Sequence, residues 1–262
     1  FGVNPVMGNL DDPASLGDLP TDGQLVLYLA PPPGGGPFDS RMRNFCEAID
    51  PKQLPGKIVY MSTSGVYGDC GGEWVTEETP INPQTSRAQR RADAEATLQE
   101  WGREYGVPVV ILRVTGIYGP GRLPLARVQQ GHPVLGEEES SPTNRIHADD
   151  LAMVCLKAAE KAVDGDIFNV SDGQPGTMTQ YFNAVSDLLN LPRLPQVDME
   201  EAKQIMNPMM LSYLTETRRM NNHKMVEQLG VTLLYSDIES GLKNVAAQLD
   251  QPNMGYLGSV GH

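Results

Sequence analysis

Residues 56–64, GKIVYMSTS, decide how the chain is read. The run starts after a glycine, stays apolar through its middle and ends in three hydroxyls. That is the pattern of a strand buried on both faces, as in a parallel sheet, closing in a polar turn. Two further runs, QLVLYLA (24–30) and VPVVILRV (107–114), have the same form. Helical patterns lie between them, SRMRNFCEAI (40–49) and a longer stretch from about 85 to 105. Strand and helix alternating at this spacing predict right-handed crossovers and a doubly wound parallel α/β sheet.

Outward from this centre the signals weaken. NPVMGNL (4–10) reads as a strand and DPASLGDL (12–19) as a short helix. After about residue 115, RLPLARVQQG reads as a helix, NRIHADDLAMVCLKAAEKA as a strand end running into a helix, and DIFNVSD as a strand. MTQYFNAVSDLLN, MEEAKQIM and VEQLG read as outer helices, and PNMGYLGSVGH (252–262) as a frayed tail. Met206, Met209 and Met210 are expected in the core of a small second lobe.

The 262 residues carry a formal net charge of −13, which disfavours general nucleic-acid binding. Cys46, Cys70 and Cys155 follow no metal spacing and cannot all pair, so reduced thiols in a cytoplasm and no metal site are expected. No stretch is apolar for long enough to span a bilayer, and no signal peptide is visible. The first residue is Phe, and the opening reads like the middle of a fold, so the true N-terminus is expected to be missing.

In open parallel sheets, ligands bind beyond the carboxyl ends of the strands. Here LAPPPGGG, STSGVYGDCGG and RVTGIYGPGR each follow a buried run, and three such loops at one end of a sheet predict a ligand groove. Thr63 ends the decisive strand, flanked by Ser62 and Ser64. NPQTSRAQRRADAE (82–95) starts the long helix, with Thr85 or Ser86 as its cap. Arg87 and Arg91 share one face of it, against the sign of the helix dipole. Their planar forks suit a phosphate or carboxylate. Tyr67 and Tyr118 read as packing groups or displaced proton donors, Cys70 as inert, His147 as a local hydrogen-bonding group, and Asp149 or Asp150 as a helix cap.

IVYMSTSGVYGD, GVPVVILRVTGIYGPG, NRIHADDLA and IFNVSDG, in this order, resemble landmarks of the extended short-chain dehydrogenase/reductase superfamily, in its NAD-dependent epimerase/dehydratase group. The proline-rich LAPPP and the Arg-rich helix start resemble the atypical YeeZ-like branch. The resemblance implies a Rossmann-type sheet whose first βαβ unit, with its Gly-rich turn, is absent here, so that cofactor binding is in question. It implies residues 1–120 as the remainder of an NAD(P)-binding domain. Residues 121–262 would be mostly a substrate-binding lobe, with a segment at about 145–170 returning to the sheet.

By the same resemblance, Asn9 and Leu10 would lie near the adenine of NAD or NADP. Leu29, Ala30 and Pro31 would line the cofactor, and Val114, Thr115, Gly116 and Ile117 would flank the nicotinamide. Active relatives carry Tyr-x-x-x-Lys at the start of the long helix; counted back from Glu95, Arg87 and Arg91 stand there, with Thr63 as the third catalytic group. Ser64, Tyr67 and Arg145 would reach a small, sugar-like or anionic substrate. A homodimer through helices 38–50 and 86–105 is implied as well. Because arginine does not give up its proton near neutrality, two functions stay open: an oxidoreductase or epimerase with a degenerate site, and a non-catalytic dinucleotide-binding sensor or scaffold.

Overall fold

A computed structural model describes residues 2–17 and 19–249. Its first half runs β1 (Leu25–Tyr28), α1 (Ser40–Ala48), β2 (Lys57–Thr63), β3 (Trp74–Val75), α2 (Ser86–Tyr105), β4 (Val109–Val114), β5 (Gly116–Tyr118) and α3 (Leu125–Gln129). Next come β6 (Val134–Leu135), β7 (Pro142–Thr143), β8 (Arg145–His147), α4 (Ala148–Lys161), β9 (Ile167–Val170), β10 (Gly176–Thr177) and α5 (Met178–Leu188). The chain closes with β11 (Gln196–Val197), α6 (Met199–Ile205), α7 (Pro208–Thr215), β12 (Arg219–Met220), α8 (His223–Leu229) and α9 (Ile238–Leu249).

Strands β1, β2, β4 and β9 form one parallel sheet in that order. Side chains alternate across it, as the two-residue period of a strand requires. Ile58, Tyr60 and Ile111 pack with Met42 and Phe45 of α1 and with Ala94 and Leu98 of α2. Val59, Leu112 and Phe168 pack on the opposite face with Val154 and Ala158 of α4 and with Met225 and Leu229 of α8. The result is the doubly wound, parallel α/β architecture that the apolar runs predict, of the Rossmann type that the resemblance implies. Each fully buried aliphatic or aromatic side chain contributes roughly 1.5–3 kcal/mol of transfer free energy.

Helix α2 sits unusually close to β4. A Cβ on Gly102 would lie 2.5 Å from Val109 Cγ2 and 2.8 Å from the Val107 carbonyl, so only glycine lets the helix approach. Gly106, left-handed at φ 68°, then ends the helix and returns the chain to β4. Helices α1 and α2 lie side by side and are joined by the Arg43–Asp93 ion pair.

The register sets the strand ends level, with Thr63 opposite Val114 and Val114 opposite Val170. The loops that follow β1, β2 and β4 therefore open at one end of the sheet. Beyond it, Tyr118, Val128, Val134, Tyr181, Phe182 and Val185 form a second core, and Leu135, Ala202 and Leu214 a third. Met206 packs against this third group, whereas the side chain of Met209 and the segment 252–262 lie outside the described residues.

Two expectations are corrected. Residues 4–10 form no strand: they are almost wholly exposed, and only a single bridge joins Asn9 to Asp12. A strand needs a neighbour to take its backbone bonds, and none lies beside this stretch. The cap of α4 is His147, whose Nδ1 accepts from the Asp149 amide, while Asp150 accepts from the amides of Leu234 and Tyr235. Helices α7 and α9 are additional to those expected: α7 is short and opens on a proline, whereas α9 places Ile238, Leu242 and Val245 at helical spacing, a signal that the sequence reading passed over.

Candidate functional site

The loops at the carboxyl end of the sheet enclose a half-open cleft of about 530 Å³. Pro31–Gly34 after β1, Thr63–Gly65 after β2 and Thr115–Gly116 after β4 form its floor. The first turns of α2, residues 142–145 and residues 212–218 form its walls.

Thr85 caps α2, its hydroxyl accepting from the Ala88 amide at 3.3 Å. The helix start is thereby fixed, and with it three guanidinium groups. Arg87 lies over the ring of Tyr213, 4.5 Å from its centroid. Arg90 is buried and donates to the Gly36 carbonyl at 2.6 Å, holding the proline-glycine loop. Arg91 donates to the Met61 carbonyl at 2.9 Å and to the Tyr60 hydroxyl at 3.2 Å, so it ties the helix to the end of β2.

From the opposite wall, Arg145 stacks 3.7 Å over Tyr181 and donates weakly to the Met178 sulfur. Burial pulls its guanidinium down from its ordinary value. Among the described residues no carboxylate lies within 4 Å of Arg87, Arg90, Arg91 or Arg145. Arg218 is different: it pairs with Glu216 at 3.7 Å and donates to the Gly68 carbonyl. Five arginines thus face one glutamate in the cleft of an acidic chain.

Thr63 lines the cleft, and its Oγ1 accepts from the Gly65 amide at 3.3 Å. The hydroxyl proton is left for another partner. Ser62 points the other way, into the protein, and donates to Glu95 at 2.5 Å. Glu95 pairs with Arg113 at 2.8 Å. Arg113 donates to the Tyr67 hydroxyl at 3.0 Å, which donates in turn to Asn169 at 2.8 Å. Burial opposes the Arg113 charge, but Glu95 and Tyr67 outweigh it and hold the guanidinium above its ordinary value.

The cleft brings together Thr63, Ser64, Arg87, Arg91, Arg145, Pro31, Thr115 and Gly116 of the residues singled out in the sequence. The others stand elsewhere. Tyr67 is 1% exposed and spent on Arg113 and Asn169, so it does not reach a substrate in this cleft. Val114 is core and Ile117 packs against the core, both behind the floor. Ala30 packs toward α1 and Leu29 is exposed. Asn9 bonds to Ser15, and the Leu10 carbonyl accepts from Asn44.

Sequence reasoning missed four residues. Arg113 had a signal, a charge inside an apolar run, which a buried strand accepts only with a partner. Tyr213, Glu216 and Arg218 had none, because they reach the cleft from the far end of the chain. The three cysteines are free, and burial pushes the Cys46 thiol up to about 12 and Cys155 up to about 11. No described helix is long and apolar enough to cross a membrane.

Comparison with known proteins adds the following. The model of the NAD dependent epimerase/dehydratase family matches residues 41–171. Human dTDP-D-glucose 4,6-dehydratase is 28% identical over 122 residues, 44% of this chain and 35% of that protein. The chain thus spans about a third of that relative's length. Protein YeeZ of Escherichia coli K12 is 28% identical over 181 residues, 66% of this chain and 62% of YeeZ. A solved structure of a functionally unknown conserved protein from Silicibacter pomeroyi is 31% identical, covers 86% of this chain and 78% of its own, and superposes with a TM-score of 0.74. RMD from Pseudomonas aeruginosa, complexed with NADPH, is 19% identical over 95% of this chain and 90% of its own, with a TM-score of 0.74, a likeness of fold.

Proposed function

The chain belongs to the NAD dependent epimerase/dehydratase family, and from that premise we propose that it binds NAD or NADP and performs hydride chemistry on a small, anionic, sugar-like substrate in the arginine-lined cleft. One observation carries the reading: Arg87 and Arg145 approach the cleft from opposite walls, and neither has a carboxylate partner among the described residues. Burying cations without counter-charge is costly, and an anionic ligand removes that cost.

The residues fit the nicotinamide half of such a cofactor. Gly116 is exposed on the floor, and because Arg145 Nη1 and the Asn144 carbonyl already fill the place of a side chain, 3.1 and 3.3 Å from where a Cβ would stand, a flat ring would lie over its backbone. Pro31 and Thr115 flank that place, and Val114 and Ile117 support it from the core. Leu29, Ala30, Asn9 and Leu10 would extend the site toward the adenine. When bound, the cofactor supplies a carbon that accepts or gives hydride. The chain's own groups orient the substrate: the Thr63 hydroxyl donates a hydrogen bond to the reacting oxygen, Ser64 assists, and Arg87 and Arg145 hold the anion. Arg91 braces the end of β2 through Nη1, which donates to Met61 and Tyr60, while its Nε and Nη2 have no hydrogen-bond partner among the described residues and would add to the anion's hold.

A second reading, a non-catalytic dinucleotide-binding sensor or scaffold, draws on the arginine at position 87, where relatives of the active type carry a tyrosine. Calorimetric titration of NAD(H), NADP(H), UDP-glucose and dTDP-glucose, followed by turnover assays, separates the two. Cofactor binding with turnover supports the oxidoreductase, binding without turnover supports the sensor, and absence of binding sinks both. Arg87→Gln is expected to weaken nucleotide-sugar binding by about 10- to 100-fold, the worth of one charge-assisted bond.

A further inference from the structure

We propose that Tyr213 exchanges the proton with the substrate oxygen in this cleft, taking over from α7 the task that Arg87 cannot perform from α2. The inference rests on the oxidoreductase reading above. It starts from what the cleft can offer. Its arginines hold their protons throughout the working range. Among the described residues that line it, the only other ionisable groups are Tyr213 and Glu216. The Glu216 side chain is 8% exposed and sits 3.7 Å from Arg218. Tyr213 is 44% exposed.

The other phenols near the sheet are unsuitable. Tyr60 is fully buried, accepts from Arg91, and is pushed up to about 12 by burial. Tyr67 is spent on Arg113 and Asn169, and Tyr118 donates to the Asp237 carbonyl from full burial. The Tyr213 hydroxyl has no hydrogen-bond partner among the described residues.

Its presentation is built, not incidental. Asn207 caps α7, accepting from the Met210 amide at 2.8 Å. Leu214 is buried against Leu135 and Ala202, with Leu211 packed beside it. At helical spacing this turns Tyr213 away from that core and toward the cleft. There the Arg87 guanidinium holds the ring at 4.5 Å and places a positive charge beside it.

In the reducing direction the substrate's carbonyl carbon would take up the hydride that a bound, reduced nicotinamide would supply. The phenol O–H bond breaks and its proton goes to the carbonyl oxygen, giving a hydroxyl and a phenolate that recovers a proton from water. In the oxidising direction the phenolate oxygen would take the hydroxyl proton as the carbon gives up the hydride that a bound, oxidised nicotinamide would accept.

The test compares the full chain with Tyr213→Phe and Glu216→Gln, using NAD with UDP-glucose or dTDP-glucose. Y213F is expected to lower kcat by about 10²- to 10⁴-fold, the usual worth of general acid–base catalysis. The calorimetric Kd for the nucleotide sugar should change by less than about threefold, since the lost group takes part in proton transfer and not in the charge-assisted bonds that carry ground-state binding. Independently of turnover, tyrosinate absorbance followed against pH should respond to bound UDP-glucose in the wild type and not in Y213F. A Y213F enzyme as active as the wild type overturns the proposal. So does a parallel loss of binding and turnover, which would mark a stacking role only, or a collapse confined to E216Q, which would give the proton to Glu216. An inert wild type overturns the parent reading, and this inference with it.

Discussion

Burial pushes the Asp172 carboxyl up to about 7, more than the partly compensating charge of Arg145 draws it down. One of its oxygens accepts from the Gln174 amide at 3.0 Å, and the other has no partner. The folded state therefore holds a proton that the unfolded chain, with the ordinary carboxyl near 3.8, has lost. Folding binds more protons than unfolding over this window, so stability falls as pH rises from about 4 to about 7. The ceiling is about 4 kcal/mol, at about 1.4 kcal/mol per pH unit. Asp172→Asn is expected to flatten that slope, read as the denaturant midpoint at pH 4.5 and pH 7; an unchanged slope would assign it to other groups. At this scale the sequence was legible where a residue type was out of place. Two arginines stood out on a positive helix end, and both line the cleft. Tyr213 did not, because a tyrosine among methionines and leucines reads as core.

At the scale of elements, Glu95 is the residue that fixes α2 against the sheet. One carboxylate takes Ser62 of β2 and Arg113 of β4, and it lies one turn beyond Arg91. Glu95→Ala leaves Arg113 buried without a counter-charge, for an expected loss of about 3–5 kcal/mol in denaturant unfolding. Replacing both partners by apolar residues, Glu95→Leu with Arg113→Met, should recover most of that loss. If the single variant loses less than about 1 kcal/mol, water has entered to solvate Arg113. The long apolar strands and α2 could be read from sequence because their periods extend over many residues. The two-residue strands β3, β6, β7, β10, β11 and β12 could not, since a pair of residues has no period and tertiary contacts alone place it. Helix α7 was hidden for a related reason: eight residues starting at a proline leave too short a pattern to separate from a buried loop.

For the whole molecule, the fold was legible from three apolar runs and their spacing, while the cleft was only half legible. The half contributed by the sheet loops followed from a general rule about strand ends. The half contributed by residues 212–218 depends on where α7 and the turn after it pack, which no local pattern encodes. The cleft and the rest of the surface also differ in sign. Five arginines gather at the cleft while the chain as a whole carries −13. These act over different ranges. An approaching anion first meets the net negative field, and feels the guanidinium groups only within about one Debye length, ~8–10 Å at physiological salt. Adding salt from about 0.01 to about 0.1 M should therefore speed association of a nucleotide diphosphate, measured by stopped flow, while shortening its residence. A monotonic fall of the association rate with salt would mean that the cleft's field dominates at all distances. The arrangement amounts to a kinetic threshold made of charge alone, raised in dilute solution and lowered at the ionic strength of living matter, with no moving part.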